Sequence, residues 1–109
     1  MDILFNIKRK KWTLKLAQAG DVNLIMFGEL CIAQLFKKTR TIYMDECLLQ
    51  DDEELRETLT HELVHAYIMT YAISARQFRD EEFICEFMAV YGADIIELTK
   101  HLIAQLKNN

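Results

Sequence analysis

Residues 57–72 read ETLTHELVHAYIMTYA, and the fold turns on whether His61 and His65 stand on one helix. Four residues apart on a helix, both imidazoles lie on one face, a turn from each other, where they can grip a single ion. Two neutral imidazoles at that spacing suit Zn(II). A catalytic zinc takes three protein ligands and keeps one position for water, and Glu62 would sit beside that water as general base. An amphipathic core helix with two satisfied histidines is the plain alternative. Against it, two of only three histidines in the chain take the one spacing that clamps a metal, among apolar neighbours where unpaired polar groups are costly.

Working outward, the helix has a readable start. Asp51 stands three residues before Glu54, a capping-box-like pattern, and the acids at 51–54 suit the positive end of a helix dipole. Leu55, Leu59, Leu63, Ala66 and Tyr67 then fall on one broad side, so the helix is expected to be buried on much of its circumference. Downstream, Ser74 to Arg79 reads as a short polar connection and Asp80 as the opening of a second helix. Ile84, Met88, Tyr91, Ile95, Leu98, Leu102 and Leu106 recur at intervals of three and four, a sustained helical stripe. Gly92 inside that stripe predicts a bend or a close contact.

Upstream the period shortens to two. Ile3 to Ile7 and Trp12 to Leu16 flank the basic run Lys8-Arg9-Lys10-Lys11 and predict a hairpin with a solvated basic tip. Gln18 to Asn23 reads as a loop, GELCIAQLF (28–36) as alternating strand, and Thr41 to Met44 as a compact strand after the Lys37 to Arg40 turn. Leu24 to Phe36 can also be drawn partly as a helix. The expected fold is α+β: a small antiparallel sheet of three to four strands packed on the histidine helix and a long C-terminal helix.

A chain of 109 residues suggests one domain spanning 1–109, and its composition is that of a globular protein. The net charge of −4 speaks against general nucleic-acid binding, and no apolar run reaches membrane-spanning length. Asp2 ahead of the basic cluster reverses a signal-peptide layout. Cys31, Cys47 and Cys85 are odd in number and lack CxxC pairing. Together these features predict a cytoplasmic protein without membrane or nucleic-acid partners. Nothing in the residues sets the oligomeric state.

Two histidines leave zinc one protein ligand short. In DEEFICEFMAVYGADI (80–95), Glu82 and Glu86 are spaced i,i+4. If Glu82 binds the metal, Glu86 one turn later can accept a hydrogen bond from a histidine's free ring nitrogen. Cys31 is a second possible third ligand, in the manner of peptide deformylases. THELVHAYI followed about twenty residues later by this acidic helix resembles the gluzincin zinc metallopeptidases. It is closer to their small single-domain members, the ImmA/IrrE-like metallopeptidases of phages and mobile elements and the minigluzincins, over roughly residues 40–96.

The resemblance implies one zinc per chain on His61, His65 and Glu82, with Glu62 activating the water that hydrolyses a peptide bond. Glu86 takes the place of the aspartate or asparagine usual in the family. An edge strand, here Thr41, Ile42, Tyr43 and Met44, would hold an extended protein or peptide substrate, such as a regulatory protein. Tyr71, Tyr91 and His101 are the candidate oxyanion donors. The competing function is a zincin-fold module that binds a partner with little or no turnover.

Overall fold

The computed structural model describes residues 2–73 and 81–108. Strands β1 (Asp2–Ile7) and β2 (Lys10–Ala17) form the expected hairpin, with Phe5 opposite Trp12 and Ile7 opposite Lys10. Lys8 and Arg9 make the two-residue turn, both at positive φ (47° and 67°), as a hairpin turn that follows the strands' own twist requires. Alternation decides the faces: Ile3, Phe5 and Ile7 are buried while Asp2, Leu4 and Asn6 are exposed.

The stretch after Gly20 divides more finely than its alternation suggests. A 3-10 turn (Val22–Leu24) leads into a two-stranded ribbon, β3 (Ile25–Met26) and β4 (Glu29–Leu30), before β5 (Ala33–Phe36) and β6 (Thr41–Asp45). The main sheet has the order β1-β2-β6-β5. Four strands and two helices give the α+β class expected, but the sheet is mixed. β6 pairs parallel with β2, from Thr13 opposite Thr41 to Ala17 opposite Asp45, and antiparallel with β5. The ribbon and β5 supply the connection that a parallel pair needs, which a succession of simple hairpins would not.

Strand order also corrects the expected substrate strand. Thr41, Ile42, Tyr43 and Met44 lie at the centre of the sheet, hydrogen-bonded on both sides, and Ile42 and Met44 are fully buried. Among the described residues β5 is the edge strand on that side of the sheet.

Helix α1 (Asp52–Thr70) begins where the acids predict. The Asp51 side chain accepts hydrogen bonds from the Glu53 and Glu54 backbone N–H groups at 3.1 Å each, satisfying two donors that the first turn leaves without partners. Asp51→Ala is therefore expected to cost about 1 kcal/mol of stability, read from the urea midpoint, with Asp51→Asn close to wild type. Leu55, Leu59, Leu63, Ala66 and Tyr67 meet the sheet's buried face at Ile3, Phe5, Trp12, Leu14, Ile42 and Met44.

Helix α2 (Glu81–Lys107) runs antiparallel to α1, and three contacts set its register. Lys107 pairs with Asp52, the Thr60 and Thr99 hydroxyls lie 3.5 Å apart, and the Tyr67 and Tyr91 rings meet at 6.0 Å. The expected Ser74 to Arg79 connection and Asp80 helix start lie outside the described residues. The C-terminal stripe holds from Tyr91 to Leu106. At its start Ile84 and Met88 are exposed, and Phe87 takes the buried place. Gly92 is buried within an unbroken helix, and a Cβ there would stand 3.1 Å from the Met88 methyl.

Candidate functional site

His61 and His65 project from the middle of α1 as the i,i+4 spacing demands, both exposed, while Glu62 between them is 8 % exposed. Their Nε2 atoms lie 3.2 Å apart, with ring centroids at 4.9 Å. Without a cation, one ring must donate and the other accept across that gap. The same separation also matches the edge of a zinc tetrahedron, about 3.3 Å for two Zn–N bonds of the usual length. By that separation the pair fits two of a zinc ion's ligands.

Beside the pair, α1 and the start of β5 enclose an open cavity of 350 Å³ lined by Ile32, Ala33, Glu57, Thr58, His61 and Glu62. Burial pushes the Glu62 carboxyl above the ordinary carboxylate value, and the nearby His65 and His61 pull it partly back. A carboxyl raised in this way and facing a cleft is a better proton acceptor than an ordinary carboxylate, as a general base requires.

The other expected members of the site stand elsewhere. With Asp52 opposite Lys107, Thr60 opposite Thr99 and Tyr67 opposite Tyr91, His65 is level with residues 93–94 of α2. Glu82 lies eleven or twelve residues before that level, roughly 17 Å along the helix, farther than the two side chains together span. Glu86, one turn nearer, lines a separate cavity with Tyr71, Ile73, Phe87 and Tyr91. The aromatic packing of Tyr67, Tyr71, Phe87 and Tyr91 sets this register and carries both glutamates past the histidines. Among the described residues no third His, Cys, Asp or Glu joins the pair, Cys31 included.

Nor are the oxyanion candidates gathered at the site. Tyr71 and Tyr91 belong to that aromatic cluster, with centroids 4.7 Å apart, and Tyr71 is six residues beyond His65, about 9 Å along α1. His101 is exposed on α2, level with the first half of α1. Sequence reading missed the contribution of Ile32 and Ala33. The alternation of residues 28–36 marked a strand there but carried no sign that it was the edge beside α1.

Among the described residues no helix is long and apolar enough to cross a membrane. No curated protein and no solved structure matches the chain. A family model does match, the one described as SprT-like, and it spans residues 5–105, from the first strand through the histidine helix to the last turns of α2. The zinc-peptidase character suggested by HELVH and the family's relation to zincin-like metallopeptidases point the same way, and with nearly its whole length matched the chain belongs to the SprT-like family.

Proposed function

We propose that this chain is a zinc-dependent peptidase that hydrolyses peptide bonds at the cleft between α1 and the edge strand β5. The carrying observation is the pair of imidazole nitrogens 3.2 Å apart beside a buried glutamate of raised pKa. His61 and His65 would hold the metal. When bound, zinc supplies a Lewis acid and lowers the pKa of a coordinated water toward neutrality. Glu62 takes the proton from the attacking water and returns it to the leaving amine. The outer row of β5 backbone groups, unpaired among the described residues, receives the substrate as an added strand. Ile32 and Ala33 form the wall against which the bond to be cut is held.

This reading keeps the metallopeptidase class and moves the substrate strand to β5. Three free cysteines, two of them exposed, accord with a reducing cytoplasm. The lack of a third ligand among the described residues favours a second reading, a zincin-fold module that binds a partner and turns over nothing.

Elemental analysis of purified protein tests the metal. About one zinc per chain is expected for wild type, lost in His61→Ala and His65→Ala and retained in Glu82→Ala and Cys31→Ala. A wild type far below one metal per chain, not restored by added zinc, overturns the zinc assignment. Retained zinc with no cleavage of any peptide in a diverse library leaves the binding module as the function.

A further inference from the structure

The chain's net charge of −4 conceals a strong asymmetry. Lys8, Arg9, Lys10 and Lys11 occupy the β1–β2 turn and the start of β2, and Lys37, Lys38 and Arg40 occupy the turn from β5 into β6. The parallel pairing of β2 with β6 brings both turns to one end of the sheet. There the Thr13 N–H donates to the Arg40 carbonyl at 2.9 Å, and Arg40 Nε donates to the Lys11 carbonyl at 3.0 Å. Seven of the 13 Lys and Arg residues thus stand together, all exposed, and none is in an ion pair among the described residues. Between the turns lies a cavity of 140 Å³ whose wall includes Lys10, Lys37, Arg40 and Thr70. The acids Asp45, Glu46 and Asp51 to Glu54 collect at the opposite end, where β6 stops and α1 begins.

The cationic end lies in line with the cleft. Ala33 borders the His61–Glu62 cavity and Lys37 borders the cationic one, four strand residues and about 13 Å farther on. Along α1, Thr70 lies nine residues past His61, about 14 Å, so both elements give the same offset. A peptide added antiparallel to β5 runs from Phe36 toward Ala33. The part of it that reaches the Lys37 turn is therefore on the N-terminal side of the bond held at Glu62.

We infer that the cationic end of the sheet is a docking site for acidic side chains of the substrate, four to five residues on the N-terminal side of the bond cut. The inference rests on the peptidase reading above. Charge complementarity favours an acidic peptide segment over a long polyanion. The cations form a compact cap at one end, and the acidic opposite end repels a nucleic acid extending past it.

The test uses the full zinc-loaded chain and a peptide that it cleaves, carrying Glu-Glu or Gln-Gln at the fourth and fifth positions before the bond. At about 50 mM salt the Glu-Glu peptide is expected to show a kcat/KM on the order of tenfold higher, an advantage that shrinks at high salt. Lys37→Glu/Lys38→Glu should lose that advantage while cutting the Gln-Gln peptide at the wild-type rate. A binding arm with fluorescein-labelled Glu-Glu peptide and the Glu62→Gln variant should show a parallel loss of affinity when the two lysines are reversed. Binding that depends on Lys37 and Lys38 without any turnover sinks the peptidase reading and leaves the acidic docking site standing. Equal handling of the two peptides overturns the inference, as does acceleration only by acids on the C-terminal side. A duplex DNA that occupies these turns in preference to the acidic peptide also overturns it.

Discussion

Glu62→Gln is expected to lower kcat/KM for any peptide substrate by about 10²–10⁴-fold while leaving the zinc content at the wild-type level. The amide keeps the shape of the carboxyl but cannot take a proton from water. Position 62 sits between the two histidines, buried and facing the cleft, so little besides proton transfer changes. The same substitution separates catalysis from stability. Burial raises the Glu62 pKa in the folded chain, so the fold prefers the protonated carboxyl. In the metal-free protein, the Glu62 contribution to stability is therefore fully present below the ordinary carboxylate pKa and is lost as pH rises through the interval up to the raised value. Gln removes that loss. Metal-free Glu62→Gln should be more stable than wild type at neutral pH, with a higher urea midpoint, as is common when functional groups held in unfavourable surroundings are replaced. A variant that is inactive and less stable would show that Glu62 serves packing. One that still cleaves would remove it from the proton path.

What the sequence disclosed follows from which forces act locally. The β1–β2 hairpin was legible because Trp12, Leu14 and Leu16 alternate with Thr13 and Lys15 and because the polar Lys8-Arg9 pair separates two apolar runs. The start of α1 was legible because Asp51 caps it within three residues. The histidine pair was legible because helix periodicity alone juxtaposes positions four apart. Strand order was not, since alternation is the same in a strand paired once or twice. From its residues Thr41 to Met44 reads equally well as an edge, and only the pairing with both β2 and β5 shows that it is central.

Helix register was the other hidden quantity. The seventeen residues from His65 to Glu82 bound the reach of the chain but not how far α2 slides along α1. That slide is decided by long-range packing, above all the Tyr67–Tyr91 and Phe87–Tyr91 contacts, together with the Lys107–Asp52 pair at the far ends. A motif fixed by one helix is therefore secure, whereas a ligand assigned across two helices depends on contacts that no local pattern encodes.

The same dependence on long-range contacts gives the largest expected stability effect, at Trp12. Its side chain is 1 % exposed, stacks on Phe5 across the hairpin with centroids 6.5 Å apart, and donates its indole N–H to the Thr70 hydroxyl at 3.1 Å. One residue thus ties the hairpin to the last turn of α1, 58 positions away in sequence. Trp12→Ala removes the largest buried side chain and is expected to cost about 3–5 kcal/mol, a third or more of the stability usual for a chain of this size. Trp12→Phe keeps most of the apolar volume but leaves the Thr70 hydroxyl without its donor, for a cost nearer 1–2 kcal/mol. Urea unfolding with an unchanged m value checks both, and a Trp12→Phe/Thr70→Val cycle isolates the hydrogen bond. Zinc binding should survive in Trp12→Phe, because Leu59 and Leu63 anchor the middle of α1 independently of its last turn. A loss of less than about 1 kcal/mol in Trp12→Ala would mean that the hairpin and α1 are held together elsewhere. The cationic end built on that junction would then have no fixed geometry relative to the cleft.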